Sequence, residues 1–339
     1  MLLPSISRGF TMAAKAIRWG VLGTGRIAGE FATAMPFVKG AKIVAVGSRS
    51  LKSADAFADR YKIAHRHASY EALADDPNVD AIYVSTPHPY HCENTILCLE
   101  AGKHVLCEKP FAINSQQASL MIETARRSKR FLMEAMWSRF LPALAKVREI
   151  LGKGVIGELR LLQADFGFAT DFNPKGRLFD PNLGGGALLD VGVYPVALAS
   201  MIFGAPDRVT ADAHMGKTKI DEQTGMILHH KKGQLAVLHT AVRTETKQEA
   251  ILYGSEGSIR LDAPWWRGQS VTLEVAGKKP ITFKAPIRGT GYNYQIDEVV
   301  RCLRSGKKQS AIMPLKESLQ IMKTLDSIRM SLGLQYPME

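Results

Sequence analysis

The chain has 339 residues, 46% of them hydrophobic, with 44 Lys and Arg against 32 Asp and Glu and a formal net charge of +12. That length exceeds the roughly 250 to 300 residues at which a single core stops growing, so two domains are expected, and no apolar run approaches the ~20 residues that cross a bilayer, so no membrane partner is expected. The positive charge favours anionic ligands, but it lies in short pairs such as Arg126-Arg127, Lys231-Lys232, Lys278-Lys279 and Lys307-Lys308, the pattern of solvated faces, and no nucleic-acid-reading motif accompanies it.

Residues 1–16, MLLPSISRGFTMAAKA, read as a flexible leader without the continuous apolar core of a signal peptide. The first acid is Glu30, which leaves an organelle-targeting reading open, and Met12 is an alternative start. The cytoplasm is the expected location. Residues 17–22 are an apolar strand candidate running straight into Gly23-Thr24-Gly25-Arg26-Ile27-Ala28, with helix-compatible sequence to residue 37. This is a dinucleotide turn in the G-x-G-x-x-A form. Gly23 permits the tight turn, Gly25 lets the backbone approach a pyrophosphate, and Ala28 stands where helix and strand pack closely. The first helical N–H groups then hold phosphate, with Thr24, Arg26 and Ile27 alongside it.

The next strand, 42–46, ends in Gly47-Ser48-Arg49-Ser50, where an NAD-preferring protein would place an Asp or Glu for the ribose hydroxyls. Arg49 and the hydroxyls of Ser48 and Ser50 instead offer donors to a 2′-phosphate. NADP is therefore expected ahead of NAD, the alternative being that Arg49 is a solvated loop residue. Helices are expected over 55–61 and 70–73. The stretch 81–110, AIYVSTPHPYHCENTILCLEAGKHVLCEKP, reads as strand, helix, strand. A right-handed crossover makes those strands parallel and brings Ser85-Thr86-Pro87 and Glu108-Lys109-Pro110 out on the ligand-binding edge of the sheet. Taken alone, Lys109 can equally be a solvated lysine at a strand end. A helix over 114–127 opens with an Asn114-x-x-Gln117 capping pattern, and 131–134 reads as the last strand of this domain.

After residue 137 the composition shifts. A long strand at 159–168 is followed by a helix and then by strands at 208–214, 225–229, 235–242, 247–253, 258–262, 271–275 and 281–283, with helices at 292–303 and 315–332. Strands in succession imply an antiparallel sheet, so the second domain is α+β. The division expected is leader 1–16, Rossmann domain 17–137 and α+β domain 138–339. Cys92, Cys98, Cys107 and Cys302 have no metal-like spacing, so reduced thiols and no metal site are expected.

Between residues 184 and 204, GGGALLDVGVYPVALASMIFG, three glycines mark a sharp turn or close approach, and Asp190 and Tyr194 are polar exceptions in an apolar run. Pro195 places the start of the regular helix near 192–194, with Asp190 at its approach. Asp190 as a helix cap and Tyr194 as a core residue with a satisfied hydroxyl is the competing account.

Taken together, residues 23–28, the Ser85-Thr86-Pro87 to His91 segment, Glu108-Lys109-Pro110 and the 185–194 passage resemble the glucose-fructose oxidoreductase and inositol dehydrogenase (Gfo/Idh/MocA) family. The resemblance runs from residue 17 onward. EAMWSRFLPA (134–143) and GGGALLDVGVYPV are most similar to its branch of dimeric dihydrodiol dehydrogenases, also described as NADP-dependent D-xylose dehydrogenases. It implies a Rossmann domain followed by a large open, mainly antiparallel sheet that builds a homodimer or a dimer of dimers. It also implies that Lys109 lies beside the nicotinamide, that Asp190 is the active-site aspartate, and that Thr86-Pro87 and His91 lie along the cofactor. Tyr194 stands where inositol-type members carry histidine, so a histidine relay is in doubt. His91 can equally be a helix-start residue.

The expected chemistry is hydride exchange between NADP and a hydroxyl-bearing carbon of a sugar or cyclic trans-diol. Tyr194 is the candidate base, its phenolate favoured by the neighbouring Lys109 ammonium, while Asp190 orients substrate or lysine. Lys109 as the proton-transfer group is the competing assignment. Trp137, Arg139, Phe140 and Phe168 are candidates for the substrate pocket, and Phe166 and Trp265-Trp266 stand behind them. Packing at the domain junction explains these residues as well. A non-catalytic NADP-binding ligand sensor and a sugar–sugar oxidoreductase with tightly held NADP are the alternative functions.

Overall fold

The computed structural model describes residues 15–339, so most of the expected leader lies outside the described residues. The first half alternates strand and helix: β1 (Ile17–Leu22), α1 (Arg26–Ala34), β2 (Ala41–Gly47), α2 (Leu51–Tyr61), β3 (His65–His67), α3 (Tyr70–Asp75), β4 (Ala81–Val84), α4 (His91–Glu100), β5 (His104–Glu108), α5 (Ser115–Arg127) and β6 (Leu132–Ala135). The strands pair in parallel in the order β3-β2-β1-β4-β5-β6. A parallel sheet covered on both faces needs unbroken apolar strands, and β4 and β6 are buried at every position. The strand order reverses between β1 and β4, so their carboxyl ends border an open crevice.

Helix starts follow local side-chain chemistry. The Ser50 hydroxyl accepts from the Ser53 amide, which starts α2 four residues before the expected position 55. Asn114 accepts from the Gln117 amide at 2.9 Å while Gln117 accepts from the Ile113 amide at 3.2 Å, so the expected capping pattern is present. The three-residue β3, His-Arg-His, has no apolar signature and was not expected.

The second half comprises α6 (Pro142–Gly152), β7 (Leu159–Gly167), α7 (Val193–Phe203), β8 (Arg208–Met215), β9 (Asp221–His229), β10 (Leu235–Ala241), β11 (Ala250–Gly254), β12 (Gly257–Leu261), β13 (Ser270–Val275), β14 (Ile281–Lys284), α8 (Asn293–Arg304) and α9 (Leu315–Leu332). Its eight strands run in the order β14-β13-β12-β11-β7-β10-β9-β8. Among the described residues β7 and β10 are parallel and the other neighbours antiparallel. Helix α6, absent from the expectation, packs on β13; α7 packs on β7 and β10, and α9 on β8. Because α9 also packs on α5, it ties the two halves together.

Helix α7 is buried from Val193 through Ala199, with no polar face. Contrary to the expectation from apolar run length, Pro181–Phe203 is long and apolar enough to cross a bilayer, but 78% of its apolar window is buried inside the protein. A helix that is hydrophobic all round is a core helix when the protein itself covers it. It enters through a π-helical turn, Leu188–Gly192, which carries Asp190. Asp190 is thus inside a widened turn rather than capping a helix end, and such turns expose side chains that a regular helix would direct elsewhere.

Candidate active site

A cavity of about 760 Å³ runs along the carboxyl edge of the parallel sheet and ends against the second half of the chain. One end is lined by Gly23, Thr24, Gly25, Arg26 and Ile27 together with Ser48, Arg49, Ser50 and Tyr70; Ser85, Thr86, Pro87 and His91 form the middle. Glu108, Lys109, Arg177 and Asp190 close the other end. The sequence-predicted cofactor contacts are therefore gathered on one wall, and Lys109 and Asp190 meet across the two halves.

The glycine turn suits a pyrophosphate. Gly23 has φ +102° and its missing Cβ would sit 3.2 Å from Ser85 Oγ, so a side chain there would be strained and crowded. A Cβ on Gly25 would meet no protein atom within 4 Å, leaving open space above the start of α1, whose first turn carries no acid to repel an anion. Ala28 is fully buried where α1 packs on the sheet. These features fit a dinucleotide, with Arg49 lining the glycine-turn end and Lys109 the other.

At the reactive end, Lys109 Nζ donates to the Asp190 carbonyl at 2.6 Å and lies 3.5 Å from Asp190 Oδ1. It also sits 5.0 Å from the centre of the Tyr194 ring. Arg177, which the sequence reading did not single out, donates to Asp190 Oδ1 at 2.8 Å and to Oδ2 at 3.4 Å. Burial favours protonation of Asp190, but Lys109 and Arg177 outweigh it and hold the carboxyl far below the usual carboxylate range. Burial likewise opposes the Lys109 charge, yet Tyr194, Asp190 and Glu108 together raise its pKa, so it stays an ammonium. The Tyr194 hydroxyl accepts from Trp137 Nε1 at 2.8 Å.

Burial raises the Tyr194 pKa, and the opposing Lys109 charge does not reverse this. The expected lowering of its pKa is therefore corrected: desolvating a phenolate costs more here than one ammonium returns, and Tyr194 is a neutral phenol. Of the two expected proton-transfer groups, the Lys109 ammonium lines the cavity, whereas the Tyr194 phenol is buried behind it and does not.

Supporting contacts come from behind. Burial pushes the Glu108 carboxyl up to about 7, with Tyr83 donating a short hydrogen bond to it. His91 is the first residue of α4 and also lines the cavity, so both readings of it have a counterpart. Its ring nitrogens lie 2.8 Å from the Pro110 and Thr86 carbonyls, and burial pulls its pKa down to about 4, so the neutral ring lies between the two cofactor-side loops and donates its single N–H to one of them. Gly186 has φ +117°, and a Cβ there would lie 2.2 Å from Asp221 Oδ1. Asp221 in turn accepts from the Leu188 amide at 2.7 Å, anchoring the π-helical turn that presents Asp190.

The expected substrate-pocket residues do not line this cavity. Arg139 is 4% exposed and donates to Glu317 at 2.7 Å and to the Ala197 carbonyl at 3.0 Å. It joins α7 to α9, because a buried guanidinium needs partners that the dry interior supplies only there. Phe140 is buried core, and Phe168 packs partly exposed against that core. Trp137 stacks on Tyr292 with ring centres 4.7 Å apart and acts on the site only through the Tyr194 hydroxyl.

Residues 17–136 match the oxidoreductase family with an NAD-binding Rossmann fold, GFO/IDH/MocA, and residues 144–260 match the GFO/IDH/MocA C-terminal domain. The chain belongs to the GFO/IDH/MocA family. Among its relatives in that family is a trans-1,2-dihydrobenzene-1,2-diol dehydrogenase of Mus musculus, 37% identical over 336 residues, covering 96% of this chain and 99% of that one. A Xenopus tropicalis protein of the same name is 36% identical over 334 residues, covering 95% and 100%. A solved 3-ketoreductase from Actinomadura kijaniata in complex with NADP and TDP-benzene superposes with a TM-score of 0.82 at 26% identity, over 94% of this chain and 98% of that one. As a member of the GFO/IDH/MocA family the chain is an NAD(P)-binding oxidoreductase.

Proposed function

We propose that this protein is an NADP-dependent dehydrogenase acting on a hydroxyl-bearing carbon of a cyclic trans-diol or a sugar. The observation that carries the cofactor choice is the end of β2. Ser48, Arg49 and Ser50 line the same cavity as Lys109 and Asp190, and no acid stands among them to bind ribose hydroxyls or repel a phosphate. The substrate class rests on the names of the full-length relatives and on a site that offers a proton donor to an oxygen.

Bound NADP supplies the hydride acceptor. The protein's part is to hold the substrate and manage one proton. Lys109 lines the cavity end, and the buried Tyr194 ring packs 5.0 Å from its Nζ behind that lining, so a substrate oxygen in the cavity meets the ammonium directly and the phenol only if Tyr194 turns toward it. In the reducing direction Lys109 can donate a proton to that oxygen directly, and Tyr194 is the competing donor once it reaches the cavity. In the oxidising direction one must first give its proton up, and the ammonium steadies the phenolate once the phenol has done so. Asp190, kept charged by Arg177, fixes the lysine rather than acting as an acid. Trp137 Nε1 holds the Tyr194 hydroxyl.

The test of the cofactor reading is Arg49→Ala assayed with NADP and NAD on a panel of trans-diols, pentoses and hexoses. Loss of a charge-assisted contact worth about 1.5–3 kcal/mol should weaken NADP roughly ten- to a hundredfold and leave NAD nearly unchanged. Equal losses for both nucleotides would remove the assignment.

A further inference from the structure

His65 and His67 are two residues apart on β3, so their side chains project from one face of the strand. Both reach a single oxygen: His65 Nδ1 lies 2.8 Å and His67 Nε2 3.0 Å from Asp76 Oδ2. The three ligand atoms lie within 4.8 Å of one another. The other carboxylate oxygen accepts from the Asn78 amide at 2.7 Å, which fixes its orientation. Asp76 is 5% exposed, whereas the His65 side chain is 39% exposed, so the cluster has a buried floor and an open outer side.

Two imidazoles and one carboxylate from three separate side chains, with one side open, are the donor set of a divalent late transition metal with a water in the fourth position. Zinc bonds of about 2.0–2.1 Å in a tetrahedron put ligand atoms roughly 3.3–3.4 Å apart, so the two nitrogen–oxygen separations need to open by a few tenths of an ångström, and the two ring nitrogens, within 4.8 Å of each other, must come to the same spacing. We propose that His65, His67 and Asp76 form a Zn²⁺-class metal site on the edge strand of the nucleotide-binding sheet.

Two further observations support it. All four cysteines are buried and burial raises every thiol, Cys92 and Cys302 to about 11, so none competes as a thiolate. The histidines also stand behind the phosphate end of the cavity. The Ser48 amide donates to the His67 carbonyl at 3.1 Å, and Gly47 is paired with His67 in the sheet. A metal at His67 therefore clamps β3 under the Ser48-Arg49-Ser50 loop. Other charged groups facing the site are Lys103, whose Nζ donates to the Asp76 carbonyl at 2.7 Å, and Arg66 between the histidines, which pairs outward with Asp55 and Asp59. Lys103 is turned onto the backbone and leaves Asp76 Oδ2 to the imidazoles.

The test is titration of tag-free protein with Co²⁺, followed by its visible absorption, and with Zn²⁺, followed by calorimetry and thermal unfolding. One tightly bound equivalent per chain is expected, with a low-symmetry Co²⁺ spectrum and a higher unfolding temperature with Zn²⁺. His65→Gln and His67→Gln, both away from the buried floor, should each weaken binding roughly tenfold or more and remove the thermal shift. Failure to bind one equivalent, or binding that is unchanged in both variants, overturns the site. Circular dichroism and NADP affinity matching wild type show that a variant is folded, and either result then stands.

Discussion

At the scale of single residues, the site is decided by competition between burial and charge. Asp190 and Tyr194 are both buried, yet the carboxyl is driven to its charged form and the phenol to its neutral one. Two cations face Asp190, whereas one faces Tyr194, and that difference sets the outcome. Lys109→Met keeps the bulk of the stem and removes the ammonium. It should abolish measurable turnover while NADP still binds, as followed by nucleotide fluorescence; retained turnover would exclude Lys109 from the chemistry. Asp190 remains paired with Arg177 in that variant, so no bare buried charge is left behind. Tyr194→Phe removes the hydroxyl and leaves the ring packed 5.3 Å from Phe166. If the phenol transfers the proton, kcat should drop by about 10²–10⁴ with KM little changed. A near-normal kcat would hand the proton to Lys109.

At the scale of elements, what was legible in the sequence is what local physics decides. The β1–glycine turn–α1 unit, the Asn114 cap and the full span of α9 each follow from short-range periodicity or capping, and each is present where expected. Strand β3 was not legible because three polar residues carry no period, and its pairing is imposed by β2. Arg177 was hidden for a similar reason: it lies in irregular chain, and its partner Asp190 becomes visible only once the π-helical turn is formed. Arg139 was misread because a charged residue beside aromatics suggests a pocket, while its true partners, Glu317 and the Ala197 carbonyl, are remote in sequence. The same remoteness conceals Glu134 on β6, fully buried with neither carboxylate oxygen closely hydrogen-bonded, where burial pushes the carboxyl from 4.5 up to about 7. The folded protein then keeps a proton that the unfolded chain has lost, so the contribution of Glu134 to stability falls as pH rises from about 4.5 to 7 and levels off above. Glu134→Gln cannot titrate. Its unfolding temperature should overtake that of wild type progressively between about pH 5 and pH 8. Parallel curves for the two proteins across that range would contradict the buried-acid account.

At the scale of the whole molecule, the second sheet has one face under α6, α7 and α9 and another whose side chains point outward. Along that outer face Ile227, Val237, Gln163 and Ile251 are in register across β9, β10, β7 and β11. Ile227 is 36% and Val237 37% exposed. Three of these four residues are apolar and at least partly exposed on interior strands rather than edges, where water gains nothing from them. The row matches the self-complementary patch of a twofold dimer, in which one residue near the axis meets its own copy. We propose that the protein is a homodimer through this face, none of whose residues lines the cavity. Val237→Glu tests this without touching either core, since the side chain already points out. Two copies would bring carboxylates together in an interface that excludes water, at a cost of several kcal/mol. Light scattering on the size-exclusion peak should show a dimer for wild type and a monomer for the variant at the same concentration. The circular dichroism and NADP affinity of the variant should stay those of wild type, because residues 23–27, 48–50, 109 and 190 lie on other elements. A wild-type monomer, or a variant that still runs as a dimer, would move the interface elsewhere.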